Sequence, residues 1–155
     1  MLINITIMKT IKQLIDEKGN NIYSISPEAF VYEALELMAE KDIGALVVTE
    51  GNKLVGIFSE RDYARKIVLK GKTSKDSRVS ELMVKGIYYI HPDKTVQDCM
   101  VLMTEKKIRH VPVMENDNLI GIVSIGDVVK AIIKQQRATI KDLENYITGS
   151  YQKIH

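Results

Sequence analysis

Two short stretches place residues able to do chemistry at one spacing: Gly56-Ile-Phe-Ser59-Glu-Arg-Asp62 and Gly121-Ile-Val-Ser124-Ile-Gly-Asp127. Each has a glycine inside an apolar run, a serine where the run ends and an aspartate three residues later. Two chemistries suit that spacing. A serine hydroxyl can cap a helix while the aspartate bonds back to the serine amide, which ties off a helix start. The same hydroxyl at a helix N-terminus also suits a phosphate, and a carboxylate beside it suits the two hydroxyls of a ribose. A single copy would favour capping. Two copies in equivalent places shift the balance towards a ligand.

The equivalence runs through most of the chain. Ile22–Lys70 laid over Ile87–Gln135 without gaps gives eighteen identities in 49 positions. They include Ile22/Ile87, Tyr23/Tyr88, Pro27/Pro92, Leu37/Leu102 and Met38/Met103 as well as both motifs. A long period present only twice does not make a solenoid, which needs about three stacked repeats. It points to two halves that bury each other.

The elements that must position the motifs follow from local pattern. Lys9–Lys18 has Ile11, Leu14 and Ile15 at helical spacing and a stop at Gly19. Ile22–Ile25 reads as a strand, and Ser26-Pro27 is expected to open a helix whose stripe is Val31, Ala34, Leu35 and Met38. Ala45–Thr49 and Leu54–Phe58 should pair as a hairpin around Gly51-Asn52, and a helix should run from Ser59 to about Lys70, ended by Gly71. The second half repeats these steps: strand Tyr88–Ile90, helix start His91-Pro92, runs Val111–Met114 and Leu119–Val123, and a helix from Ser124. Lys72–Arg78 is a polar linker and Val79–Met83 a short helix. The fold class is therefore α+β, two pseudo-symmetric β-α-β-β-α motifs packed through their sheets. The expected organisation is a 1–8 N-terminal extension, a first motif with leading helix and linker over 9–78, a second motif over 79–135, and a C-terminal helix and tail over 136–155. That tail carries Ile140, Leu143 and Ile147 on one face, with a stop at Gly149.

Composition narrows the function. A chain of 155 residues is one domain's worth. A net charge of +2 gives no bulk argument for nucleic acid. Met1–Met8 is apolar but too short to span a bilayer and lacks a signal peptide's flanks, so no membrane partner is expected. The lone Cys99 leaves no CxxC motif and fits a reducing, cytoplasmic setting; on an apolar stripe it reads as a buried structural thiol. His91, His110 and His155 have no metal-site spacing, and no P-loop, GxSxG or GxGxxG is present, so no metal, required cofactor or catalytic residue is expected.

The duplicated unit with its strand glycine, serine and aspartate resembles a tandem pair of cystathionine-β-synthase (CBS) domains, a Bateman module. Ile43-Gly44-Ala45-Leu46-Val47-Val48 and Ile108-Arg109-His110-Val111-Pro112-Val113 add to the resemblance, which covers Lys9 to about Lys134. It implies clefts between paired domains that take AMP, ADP, ATP, NAD(H) or S-adenosylmethionine as regulatory ligands. It implies that Asp62 and Asp127 hold ribose hydroxyls and that Ser59 and Ser124 meet ribose or phosphate. Ile22, Tyr23, Tyr88 and Tyr89, with Ile43, Gly44, Ala45, Ile108, Val111 and Pro112, would line the clefts.

The halves differ at Arg109-His110, which replace Gly44-Ala45 and resemble the family's phosphate-contacting pair; Arg61 is a further candidate. If His110 meets phosphate as a cation, binding should tighten as pH falls towards 6. The expected function is a non-catalytic adenine-nucleotide sensor, homodimeric or larger, acting on a protein target in trans or by ligand-dependent assembly. The alternative is a constitutive scaffold with empty clefts.

Overall fold

The computed structural model describes residues 8–19 and 21–148. Residues 1–7 of the N-terminal extension, the stop at Gly149, the side chain of Ile147 and His155 lie outside the described residues. The chain divides into two compact units that do not follow the order of the repeat.

One unit holds residues 21–90 together with Pro112–Ile122. Its sheet has the order β1-β2-β3, from Ser24–Ile25 (β1), Ala45–Glu50 (β2) and Lys53–Ser59 (β3). β1 runs parallel to β2 with Ser24 opposite Val47, and β2 pairs antiparallel with β3 with Ala45 opposite Ser59. The expected hairpin is present, and Gly51 sits in its turn at φ 59°. Helix α2 (Val31–Lys41) lays Val31, Ala34 and Met38 on Leu46, Val48, Phe58 and Ile67, with Val79 and Leu82 of α4 (Val79–Leu82) closing the cluster. Burying such side chains contributes roughly 1.5–3 kcal/mol each, enough to hold short strands in place.

Three expectations are corrected here. The first helix does not open at Ser26-Pro27 but at Val31, after an N-cap Phe30 that makes no side-chain cap bond. Ser26 instead closes a tight turn, its Oγ accepting from the Glu28 amide. The backbone of residues 27–32 is stitched to the linker: Val31 N–H donates to Ser77 O at 2.8 Å, Val79 N–H to Ala29 O at 2.9 Å and Ser80 N–H to Pro27 O at 2.9 Å. That pairing holds the proline segment in a turn outside the helix. Tyr88–Ile90 forms no strand; Ile90 alone makes a parallel bridge to Val113. The helix expected over Ser59 to Lys70 is one α-turn, α3 (Glu60–Asp62), followed by a π-helical stretch Tyr63–Val68, with Gly71 at φ 69° beyond it.

The other unit contains α1 (Ile11–Lys18), the segment His91–Val111 and the chain from Val123 through the described end of α6 (Ile125–Thr148). Helix α5 (Val96–Lys106) begins four residues after Pro92, capped by Thr95 with Asp98 in a capping box, so the second proline start is corrected in the same way. The segment opening α1 does for this motif what Ser77–Ser80 does for the first. Val96 N–H donates to Lys9 O at 2.9 Å, Ile11 N–H to Lys94 O at 2.8 Å and Lys12 N–H to Pro92 O at 2.9 Å. Ile11, Leu14 and Ile15 are buried there, as are Val96, Cys99, Met103, Val128 and Ala131. Strands β4 (His110–Glu115) and β5 (Asn118–Ser124) form the second hairpin, of which Pro112–Ile122 belongs to the first unit. Among the described residues no helix is long and apolar enough to cross a membrane.

Candidate functional site

Each Ser-x-x-Asp motif stands where a strand runs into a helix. Ser59 ends β3 at φ −128°, and its Oγ accepts the Asp62 amide at 3.2 Å. Asp62 Oδ2 in turn accepts the Ser59 amide at 3.0 Å and the Ser59 hydroxyl at 2.9 Å. Ser124 and Asp127 repeat this: Ser124 N–H donates to Oδ2 at 2.8 Å, and Asp127 N–H to Ser124 Oγ at 3.1 Å. Capping is thus real in both copies. It occupies Oδ2 of each aspartate and fixes the carboxylate at the strand end.

A second bond, also present twice, brings the next candidates to the motif. The Glu60 amide donates to Gly44 O at 3.0 Å, and the Ile125 amide donates to Arg109 O at 2.8 Å. Ile43-Gly44-Ala45 therefore lies beside Ser59–Asp62 within one unit, and Ile108-Arg109-His110 beside Ser124–Asp127 within the other. Ile22, Tyr23, Tyr88, Tyr89 and Pro112 belong to the unit of the first motif, and Val111 to that of the second. Tyr23 packs against the core cluster with the Lys41 ammonium over its ring, and the Tyr88 and Tyr89 rings are exposed. Ala45, Val111 and Pro112 are buried, while Arg61 and Arg109 are exposed.

Each carboxylate also meets a lysine, which the sequence reading did not assign to the site. Lys66 Nζ is 3.3 Å from Asp62 Oδ1 and donates to Leu82 O at 3.0 Å. Four residues after Asp62 on a helical turn, it had a local signal. The position equivalent to Lys66 is Ala131, which is buried. Lys18, at the end of α1, supplies the cation instead, its Nζ 2.6 Å from Asp127 Oδ2. Nothing local in the sequence links residues 109 positions apart.

The electrostatics of the second cluster follow. Burial pushes the Asp127 carboxyl up, but the Lys18 ammonium and the Ser124 bonds outweigh it and hold the carboxyl below its ordinary value. His110 is pushed down, first by burial and then by the Lys18 charge, against the pull of Asp127. Both effects move the onset of a cationic imidazole to more acid pH than the ordinary histidine value. Burial, with the Asp127 charge, raises the Cys99 thiol to about 11, so it is a packed thiol and not a nucleophile. Among the described residues no group of three or more His, Cys, Asp or Glu could hold a metal.

The strand glycine has its own explanation in the first motif. A Cβ on Gly56 would lie 2.6 Å from Met83 Sδ, where the segment after α4 crosses β3 through the Ile57–Val84 bridge. Gly56 serves close packing.

Comparison with known proteins agrees with this geometry. The family model "CBS domain" matches twice, over residues 11–69 and 79–134, and the chain belongs to that family. The mitochondrial CBS domain-containing protein CBSX3 of Arabidopsis thaliana is 41% identical over 126 residues, which span 78% of this chain and 61% of that protein. The crystal structure of the CBS-domain containing protein ATU1752 from Agrobacterium tumefaciens is 38% identical, with a TM-score of 0.77 over 80% of this chain and 99% of that one. The CBS domain pair of protein MJ0100, solved with 5-methylthioadenosine and S-adenosyl-L-methionine, shares the fold at 22% identity and a TM-score of 0.74, over 83% and 98% of the two chains.

Proposed function

We propose that this protein is a regulatory, non-catalytic CBS pair that binds an adenine nucleotide (AMP, ADP, ATP or NAD) and passes occupancy on to a protein target in trans or through assembly of its own chains. The observation that carries this reading is the duplicated arrangement of serine, capped aspartate and lysine, held beside Gly44 in one motif and Arg109 in the other. Capping fixes the position of each carboxylate before any ligand arrives, which lowers the ordering cost of binding a ribose diol. The adjacent lysine brings a cation to where a phosphate would be steered. A pair of this fold holds two adenosyl ligands in MJ0100, so the architecture has room for that class. Regulation follows if ligand binds one arrangement better than another, since only differential affinity shifts an equilibrium. We place its action in the cytoplasm, a reading that the lone unbridged cysteine fits.

A thermal-shift panel of AMP, ADP, ATP, NAD and S-adenosylmethionine tests the reading. Ligand at 100 times its dissociation constant adds about 2.7 kcal/mol and should raise the melting temperature by roughly 5–10 °C. No shift with any of the five at millimolar concentration would leave the second reading, a constitutive scaffold. That alternative is favoured by one observation: both aspartates already have a lysine partner.

A further inference from the structure

Helix α6 carries two apolar faces, and among the described residues one is packed and the other exposed. Val128, Ala131 and the half-buried Ile132 and Gln135 turn towards α5, where the Gln97 amide bonds Gln135 Oε1 at 3.3 Å. Beside that face runs a second series: Val129, Ile133, Gln136, Ile140, Leu143 and, by position, Ile147. Its spacing alternates four and three without a break, the a/d seam of a coiled coil with Gln136 its one polar member. Val129, Ile133, Ile140 and Leu143 are 43%, 41%, 55% and 38% exposed.

We infer that this seam is covered by a second copy of the same chain, the two α6 helices lying antiparallel about a two-fold axis. The charges beside the seam choose the register. With Ile140 opposite the second copy's Leu143, the e positions set Arg137 of each helix against Glu144 of the other, twice. Of the other antiparallel registers, one sets Arg137 against itself at the axis between two Lys130–Glu144 pairs, and others set Glu144 against itself or Arg137 against Lys130; a parallel pairing sets Arg137 and Glu144 against Ile132 and Thr139. Only the first pairs opposite charges with no like-charge contact across the two-fold axis. A carboxylate accepts several donors, so Glu144 keeps any contact within its own chain. Gln136 then falls opposite the second copy's Ile147 at the two ends of the overlap, near water, and not in the central layers. The surface deepens the assembly half of the proposed function and does not depend on a nucleotide.

Light scattering and sedimentation on the full chain test it. The wild type should weigh about twice the 17.6 kDa chain mass at micromolar concentration or above. Ile140→Asp with Leu143→Asp, both at exposed positions, should halve the measured mass. That variant should keep its melting transition and its shift with nucleotide, so loss of assembly and failure of nucleotide binding read separately. Arg137→Glu should raise the dimer dissociation constant roughly 3- to 30-fold, Glu144→Arg likewise, and the two together should restore it. A monomeric wild type, or a mass unmoved by the double aspartate variant, would overturn the proposal. Charge reversals that weaken nothing, or that fail to rescue each other, would overturn the antiparallel register.

Discussion

Asp62 and Asp127 do two jobs with one carboxylate, capping a helix through Oδ2 and standing beside a lysine. Truncating either should therefore cost twice. Asp62→Ala and Asp127→Ala should each weaken nucleotide at one motif by about 10- to 150-fold, the loss of one charge-assisted hydrogen bond. Each should also lower stability by about 0.5–2 kcal/mol through the lost cap. Calorimetry and chemical unfolding on the same samples separate the two costs; a stability loss with unchanged affinity would confine the aspartates to capping. His110 offers a pH test. Its folded pKa is held below the unfolded value near 6.5. The stability linked to it is thus present above that value and lost as pH falls through the lower folded one. An imidazole NMR titration should find a midpoint below 6.5, and Lys18→Met should move it upwards by removing one of the charges that depress it. A wild-type midpoint at or above 6.5 would contradict the burial and charge described here.

The two hairpins follow directly from apolar runs around short turns and stand where the pattern puts them, whereas of the strands expected to precede the helices only Ser24–Ile25 forms. Helix starts were less legible. Ser26-Pro27 and His91-Pro92 have the grammar of a helix opening, yet in both motifs the prolines sit in a turn and the helix begins four residues later, because a distant segment pairs with the intervening backbone. Thr95 and Asp98 spell the true start of α5 in the same S/T-x-x-D grammar that marks the site. Helix α2 has no such mark, since Phe30 cannot cap with its side chain. Both Ser-x-x-Asp motifs were legible because their chemistry is local and repeated; Lys18 was not, because only tertiary packing delivers it. Gly56 was visible as a repeated residue without its reason, which is Met83. Gly56→Ala should thus destabilise by about 1–3 kcal/mol through overpacking, and Met83→Ala in the same chain should recover part of that loss. Denaturant unfolding reads both, and equal stability of Gly56→Ala and wild type would mean that the crossing is looser than described.

Each motif is completed by a short helix from elsewhere in the chain: α4, which leads into the second motif, packs with the first, and α1, which leads into the first, packs with the second. Ile11, fully buried on α1, should consequently hold the second motif's helices. Ile11→Ala should cost about 2–5 kcal/mol, read by denaturant unfolding. If Ile11→Ala left the protection of α5 amides in hydrogen exchange unchanged, α1 would not be their support. This interleaving also has a consequence in time. On the ribosome α1 emerges before its binding face, made by α5 and the start of α6, which follows roughly a hundred residues later. At about 5–20 residues per second, the apolar edge of Ile11, Leu14 and Ile15 waits on the order of 5–20 s for its partner. Helix α1 is thus made well before it can find its place, and a nascent chain stalled before Val96 would leave that edge as bait for chaperones.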